Sequence, residues 1–272
     1  MTAVNERVED VDEAALAAFR AEYGTELAPV AIVIAAYNEE EGIGEVVASL
    51  PATIDGHDTA TVVVVDGSSD ATADVARKNG AMVCDVPVNR GQGAALRLGY
   101  RIAREGGARY IVTTDADGQY DPAHIERVLG PVLRGEADFV TGSRRLGRQE
   151  TYDRVRRAGV HVFAWLVTLL TGQRITDTSF GLRAMRAEVT AAVTLRQPQY
   201  QASELLIGVI SQGYRVTEVP ATMRLRAAGT TKKGGNLVYG YRYSRVVFGT
   251  WWRERRAGRR RRAGRAPSAN TR

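Results

Sequence analysis

The sequence predicts an α/β fold: a mostly parallel sheet flanked by helices. Three observations carry that prediction. Apolar runs rich in branched residues, such as Val30-Ala31-Ile32-Val33-Ile34-Ala35 and Thr61-Val62-Val63-Val64-Val65, read as strands buried on both faces. Helical patterns alternate with those runs, which implies right-handed crossovers between parallel strands. Polar clusters fall just after the runs, at the carboxyl ends where such sheets bind their ligands.

Taken in order, residues 1–28 form an acidic extension, with Glu6, Glu9, Asp10, Asp12 and Glu13 close together and Leu16 and Phe19 at helical spacing. One globular domain is expected over 29–236. Its first strand, 30–35, is followed by a helix whose Ile43, Val46, Val47 and Leu50 fall at i, i+3, i+4 and i+7, and Pro51 ends it. The strand at 61–65 closes in Asp66-Gly67-Ser68-Ser69-Asp70 and leads to a helix ending near Asn79. A strand at 81–86, a helix at 93–104 and a strand at 109–113 come next. Asp121 reads as an N-cap with Pro122 at the first helical position. Residues 137–142 form a strand ending in Ser143-Arg144, and 154–170 is basic at its start and apolar afterwards. Ser203 is expected to cap a helix to Gly213, with Leu206, Val209 and Ile210 inward. A strand at 214–219 has Pro220 at its end. Residues 237–272 are an aromatic and basic segment whose tail is expected to be disordered.

The net charge of +6 is unevenly placed. Nine arginines and one glutamate between Arg253 and Arg272 give that tail +8 and leave the remainder at −2. A single cysteine, Cys84, excludes an internal disulfide framework and suggests a buried thiol in a reducing compartment. The N-terminus lacks a basic start followed by an apolar stretch, and the apolar-rich segment 160–170 is too short to span a bilayer. A cytoplasmic protein is expected.

The stretch Thr113-Thr114-Asp115-Ala116-Asp117-Gly118-Gln119-Tyr120-Asp121 carries the strongest chemical signal. With side chains alternating along a strand, Asp115 and Asp117 point the same way, and two such carboxylates repel. A divalent cation relieves that repulsion, and Mg²⁺ is typically held by one or two carboxylates plus substrate phosphates. The pair alone also fits a solvated Asp-Gly turn. Its place beside Tyr37-Asn38-Glu39, Asp66–Asp70 and Asn89-Arg90-Gly91 favours a site. His57, His124 and His161 have no ligand-like spacing.

The ordered motifs AAYNEE, VVVVDGSSD, NRGQGAAL, TTDADGQ, GSR, DTSFGLRAMR and EVPATMRLRAAGTTKKG resemble the family 2 glycosyltransferases. Within them the chain is most similar to the dolichol- and polyprenyl-phosphate hexosyltransferases, over roughly residues 30–235. The resemblance implies a GT-A fold, a nucleotide-sugar donor of the GDP-mannose or UDP-glucose type, Mg²⁺ or Mn²⁺, and inversion at the sugar carbon. It places Ala35, Tyr37 and Glu39 at the base and ribose, Asp66 and Arg90 at the base, and Asp115 and Ala116 near the ribose or metal. Asp115, Asp117 and Gln119 become the metal set. Asp117, Arg144, Arg226 and Lys232 become the groups acting on the diphosphate, with Arg226, Thr231 and Lys232 in a closing loop. Asp177, Gly181 and Arg183 fall on the acceptor side, with Glu204 as the candidate base if the acceptor is a hydroxyl. Three positions depart from the family pattern: Ala36 for proline, Gln92 for lysine and Leu182 for phenylalanine. The second leaves the base identity open.

A cation at the diphosphate neutralises the leaving group as a Lewis acid, and fixed guanidinium groups add to that. The resemblance implies transfer of a hexose to polyprenyl phosphate at the cytoplasmic membrane face. The alternatives are transfer to a hydroxyl of a cell-envelope glycan or glycolipid, and a catalytically silent nucleotide-binding or recruitment protein. Tyr239, Tyr241, Tyr243, Phe248, Trp251 and Trp252 precede the arginine run, a pattern that suits peripheral attachment to an anionic membrane. The tail lacks a nucleic-acid reading module, and no nucleic-acid partner is expected.

Overall fold

The computed structural model describes residues 2–150, 154–224 and 236–263. The branched apolar runs become the middle of the sheet. Strands β1 (Val30–Ala36), β3 (His57–Asp66), β4 (Met82–Val86) and β5 (Tyr110–Asp115) lie parallel in the order β4-β3-β1-β5. A short strand, β2 (Thr53–Ile54), pairs antiparallel with the start of β3. The turn between them is Asp55-Gly56, with φ of 46° and 74°. Two successive positive φ values define the tight hairpin turn that Asp-Gly favours, so this hairpin had a signal in the sequence.

The sheet continues as β5-β7-β6-β8, where β6 is Phe139–Gln149, β7 is Arg183–Arg186 and β8 is Val216–Met223. Here β7 runs antiparallel to both neighbours, while β6 and β8 are parallel. The α/β class therefore stands, with a mixed rather than uniformly parallel sheet. Pro220 lies inside β8 rather than at its end, pairing with Ser143. β8 is last in the strand order, where a missing N–H is tolerated.

Helices α1 (Thr2–Tyr23), α2 (Ile43–Ala48), α3 (Thr72–Lys78), α4 (Gln92–Glu105), α5 (His124–Leu133), α6 (Arg154–Thr171), α7 (Ala187–Ala192), α8 (Gln201–Ser211) and α9 (Asn236–Ala263) cover the sheet. Helix α5 starts two residues later than predicted. Asp121 accepts the N–H of Ala123 at 3.0 Å and so caps the turn before the helix. Helix α8 starts before Ser203, whose buried hydroxyl donates to the Thr178 carbonyl and meets the Tyr243 hydroxyl instead of capping.

Both flanking segments share the core. Leu16 and Phe19 of α1 pack with Val62, Val64, Cys84, Val86 and Leu98. Tyr243 and Val247 of α9 pack with Phe139, Val167, Leu206 and Val209. Burial pushes the Cys84 thiol up to about 12, so at neutral pH it stays protonated and unreactive.

Candidate active site

The site forms where the parallel strands end. The loop after β1 is tied to the loop after β3: Asn38 N–H donates to the Ser68 hydroxyl at 3.0 Å, Ser69 N–H to the Asn38 side-chain oxygen at 2.9 Å, and Glu39 N–H to the Thr72 hydroxyl at 2.9 Å. Asp66, 2 % exposed at the tip of β3, accepts the N–H groups of Arg90 at 2.8 Å and Gly91 at 2.6 Å, and the Arg90 Nε at 3.3 Å. The carboxylate thus fixes the Asn89-Arg90-Gly91 turn. Helix α4 begins beside it, and Gly93 N–H donates to the Pro198 carbonyl at 2.8 Å. A Cβ on Gly93 would lie 2.0 Å from the Gln197 carbonyl oxygen, so only glycine fits there.

Ala35 and Asp115 are register partners on adjacent strands, so the first and fourth motifs meet directly. β5 ends at Asp115, and strand alternation does not reach Asp117. Asp117 instead lies in a turn with Ala116 and Gly118 (φ 71°), is 7 % exposed, and accepts the Gln119 N–H at 3.2 Å. Asp115 accepts from the Gln92 side-chain amide at 3.2 Å, so Gln92 touches the acidic pair without adding charge. The Gln119 amide nitrogen donates to the Arg224 carbonyl at 3.0 Å, which ties this turn to the end of β8. Arg226, Thr231 and Lys232 lie outside the described residues.

The strand β7 region closes the other side. Gly181 N–H donates to the Tyr120 hydroxyl at 2.8 Å and its carbonyl accepts from Thr113 at 2.7 Å. A Cβ on Gly181 would stand 2.6 Å from an Asp115 oxygen, so the segment needs glycine to pass. Arg144 and Asp177, expected as separate phosphate and acceptor groups, form one buried ion pair at 2.6 and 3.0 Å. Arg144 also donates to the Ser179 hydroxyl at 2.7 Å. Burial works against the Arg144 charge, but Asp177 outweighs it and holds the pKa above the ordinary value. Glu218, on β8, accepts the N–H groups of Thr176 and Asp177, each at 2.8 Å. Burial nevertheless holds its carboxyl above the ordinary range. Arg183 is buried and donates to the Phe180 carbonyl, so it braces this turn.

Glu204 corrects an expectation. Fully buried, it accepts the N–H groups of Arg196 and Gln197, both at 2.9 Å, and the Arg253 guanidinium at 2.8 Å. With its oxygens taken by these three donors and no exposed surface, Glu204 is not placed to meet an acceptor hydroxyl. It anchors the 196–198 loop that packs on Gly91 and Gly93. Sequence reasoning missed Glu218, Ser179, Tyr120 and Arg253, since each acts through a partner distant in the chain.

Among the described residues, no three His, Cys, Asp or Glu side chains gather in a metal-binding group. The two aspartates fit a hard cation that draws its remaining oxygens from a diphosphate. No described helix is long and apolar enough to cross a membrane.

The model of the family described as "Glycosyl transferase family 2" matches residues 31–193, and the chain belongs to that family. Among its relatives is the dolichyl-phosphate hexose transferase of Haloferax volcanii, 36 % identical over 206 residues, covering 74 % of this chain and 85 % of that protein. The undecaprenyl-phosphate mannosyltransferase of Micrococcus luteus is 30 % identical over 220 residues, covering 77 % and 89 %. Among solved structures, glucosyl-3-phosphoglycerate synthase from Mycobacterium tuberculosis superposes with a TM-score of 0.65 at 24 % identity, covering 88 % of this chain and 82 % of that one. This supports the GT-A fold. Its crystals hold Mn²⁺ or Mg²⁺ with UDP, in agreement with the expected cofactor. They also correct the expected acceptor: the complexes contain phosphoglyceric acid, not a polyprenyl phosphate.

Proposed function

We propose that the chain transfers a hexose from a metal-bound nucleotide sugar to a hydroxyl of an envelope glycan or glycolipid. The observation that carries this is the meeting of Ala35, Asp66, Arg90, Asp115 and Asp117 at one end of the sheet. The UDP held by structures of the same fold supports a donor of that class. Asp115 and Asp117 hold the cation, which stabilises charge on the departing diphosphate. Asp66 and Arg90 receive the base, with Tyr37 and Glu39 beside it. The Arg144–Asp177 pair holds the 177–181 segment, whose Gly181 lies against Asp115. Arg226 and Lys232, outside the described residues, are assigned to the diphosphate by the family resemblance alone.

The exposed face of two helices favours an amphiphilic acceptor. Val162, Trp165 and Leu169 of α6 and Tyr241, Phe248 and Trp252 of α9 are all about half exposed or more. Arg245 and Arg256 lie over the Tyr241 and Trp252 rings at 5.9 and 4.9 Å. Aromatic rings flanked by guanidinium groups suit the headgroup region of an anionic membrane. Tyr243 and Trp251, expected in the same role, instead pack against the core.

The test is nucleotide release from UDP-glucose and GDP-mannose with Mn²⁺, offering a glycolipid, 3-phosphoglycerate or dolichyl phosphate. Turnover stimulated by a hydroxyl-bearing acceptor and abolished by chelator is the expected result. Stimulation by dolichyl phosphate alone overturns the hydroxyl reading. Co-sedimentation with anionic vesicles that falls with salt tests the helical face.

A further inference from the structure

We infer that Asp12, on the N-terminal helix, is a positioning residue for the nucleobase end of the donor site. The inference rests on the proposed donor reading. Arg90 lies between two carboxylates that come from opposite directions. Its Nε meets Asp66 at 3.3 Å, and its Nη1 meets Asp12, seventy-eight residues away in the chain. The Arg90 side chain is 7 % exposed, and its remaining Nη2 is buried with no hydrogen-bond partner. A buried guanidinium donor without an acceptor is unfavourable and calls for an explanation. Here it lies beside a carboxylate at a strand tip, so one arginine–aspartate pair offers a donor next to an acceptor.

Asp12 takes part in holding that arrangement. Asp66 Oδ2 already accepts the N–H groups of Arg90 and Gly91, so Oδ1 alone meets Nε, while Asp12 takes Nη1 from the N-terminal helix. With Nε and Nη1 both held, Nη2 is the guanidinium nitrogen left without an acceptor. The ligand chemistry that fits is a base edge with a ring N–H beside a carbonyl, as in uracil or guanine. Cytosine places an amino group at that carbonyl position, donor against donor. Asp12 is not what docks α1: Leu16 and Phe19 are in the core, and Glu13 pairs with Arg101 and Arg20 with Glu105.

The experiment is calorimetric binding of UDP, GDP and CDP, with Mg²⁺, to full-length wild type, Asp12→Asn, Asp12→Glu and Glu13→Gln. Asp12→Asn is expected to weaken the better of UDP and GDP roughly 5- to 10-fold, the scale of one ordinary hydrogen bond. It should also narrow the preference over CDP and leave kcat at saturating donor unchanged. Asp12→Glu should recover part of the loss, and Glu13→Gln, which removes an exposed pair from the same helix, should match wild type. Equal binding and preference in wild type and Asp12→Asn overturn the inference while leaving the donor site standing. Equal weakening in Glu13→Gln also overturns it, by assigning the effect to helix docking. If wild type binds no nucleoside diphosphate, the proposed function falls first and the inference with it.

Discussion

The two halves of the sheet satisfy their charges in different ways. In β4-β3-β1-β5, carboxylates at strand tips are met mainly by backbone N–H groups of neighbouring turns, as Asp66 is by Arg90 and Gly91. In β7-β6-β8, side chains from other elements add to such contacts: Arg144 is met by Asp177, and Ser203 and Thr178 by Tyr243, while Glu218 still takes backbone N–H groups. The first half is a frame that presents oxygens. The second is a set of braces that press the 177–181 segment against that frame.

If the second half is braced by its ion pair, Asp177→Ala should have the largest effect. It leaves Arg144 buried beside Phe180 without its carboxylate. A lost partner of a buried pair costs about 3–5 kcal/mol. Urea unfolding measures it, and a loss below about 1 kcal/mol would show that Ser179 and solvent replace Asp177.

Asp117→Asn tests the first half from the opposite side. The turn keeps its Gln119 N–H contact through the amide oxygen, so melting should change little. Turnover should fall about a hundredfold or more, the scale of losing one electrostatic contact to developing charge. Near-normal turnover with unchanged metal affinity would remove Asp117 from the metal site.

Tyr243→Phe sharpens the contrast at smaller scale. Tyr243 is buried with its hydroxyl between Thr178 and Ser203, so α9 closes onto the 177–181 segment. Removing the hydroxyl leaves two hydroxyls partly unsatisfied and should cost about 1–2 kcal/mol. Matching stability of wild type and variant would mean that α9 is held by apolar packing alone.

The contrast also explains what the sequence made legible. Strands β1, β3, β4 and β5 announce themselves by branched apolar runs, and their tips by Asp, Asn and Gly within a few residues. The motifs after them could be placed because backbone geometry brings strand ends together. Nothing local marks β7, four residues long and with Arg183 buried at its start. Glu204 looked like an acidic residue in a first helical turn, and its partners Arg196, Gln197 and Arg253 emerge only when the chain folds back. Arg144 and Asp177 were each recognised, but their pairing spans thirty-three residues and no periodicity encodes it.

The smallest expected effect is at Asp138, where the second half meets solvent. Asp138 accepts the N–H of Arg215 at 2.9 Å, its Nε at 3.1 Å and its Nη2 at 2.8 Å, with Arg186 at 3.5 Å. The Arg215 side-chain hydrogen bonds, opposed by partial burial, lower the Asp138 pKa to about 2. An unfolded aspartate titrates near about 3.9. The folded value is the lower one, so the unfolded chain binds the proton first as pH falls. The stabilisation is therefore complete above about pH 4 and is lost between there and about pH 2. Arg215 is 55 % exposed, so solvent screens the pair and its contribution to stability is small. Asp138→Asn should be slightly less stable than wild type at neutral pH. In urea titrations stepped from pH 6 to pH 2.5 the gap should shrink below pH 4. A gap that stays constant over that range would mean that the ionisation of Asp138 does not carry the difference between the two proteins.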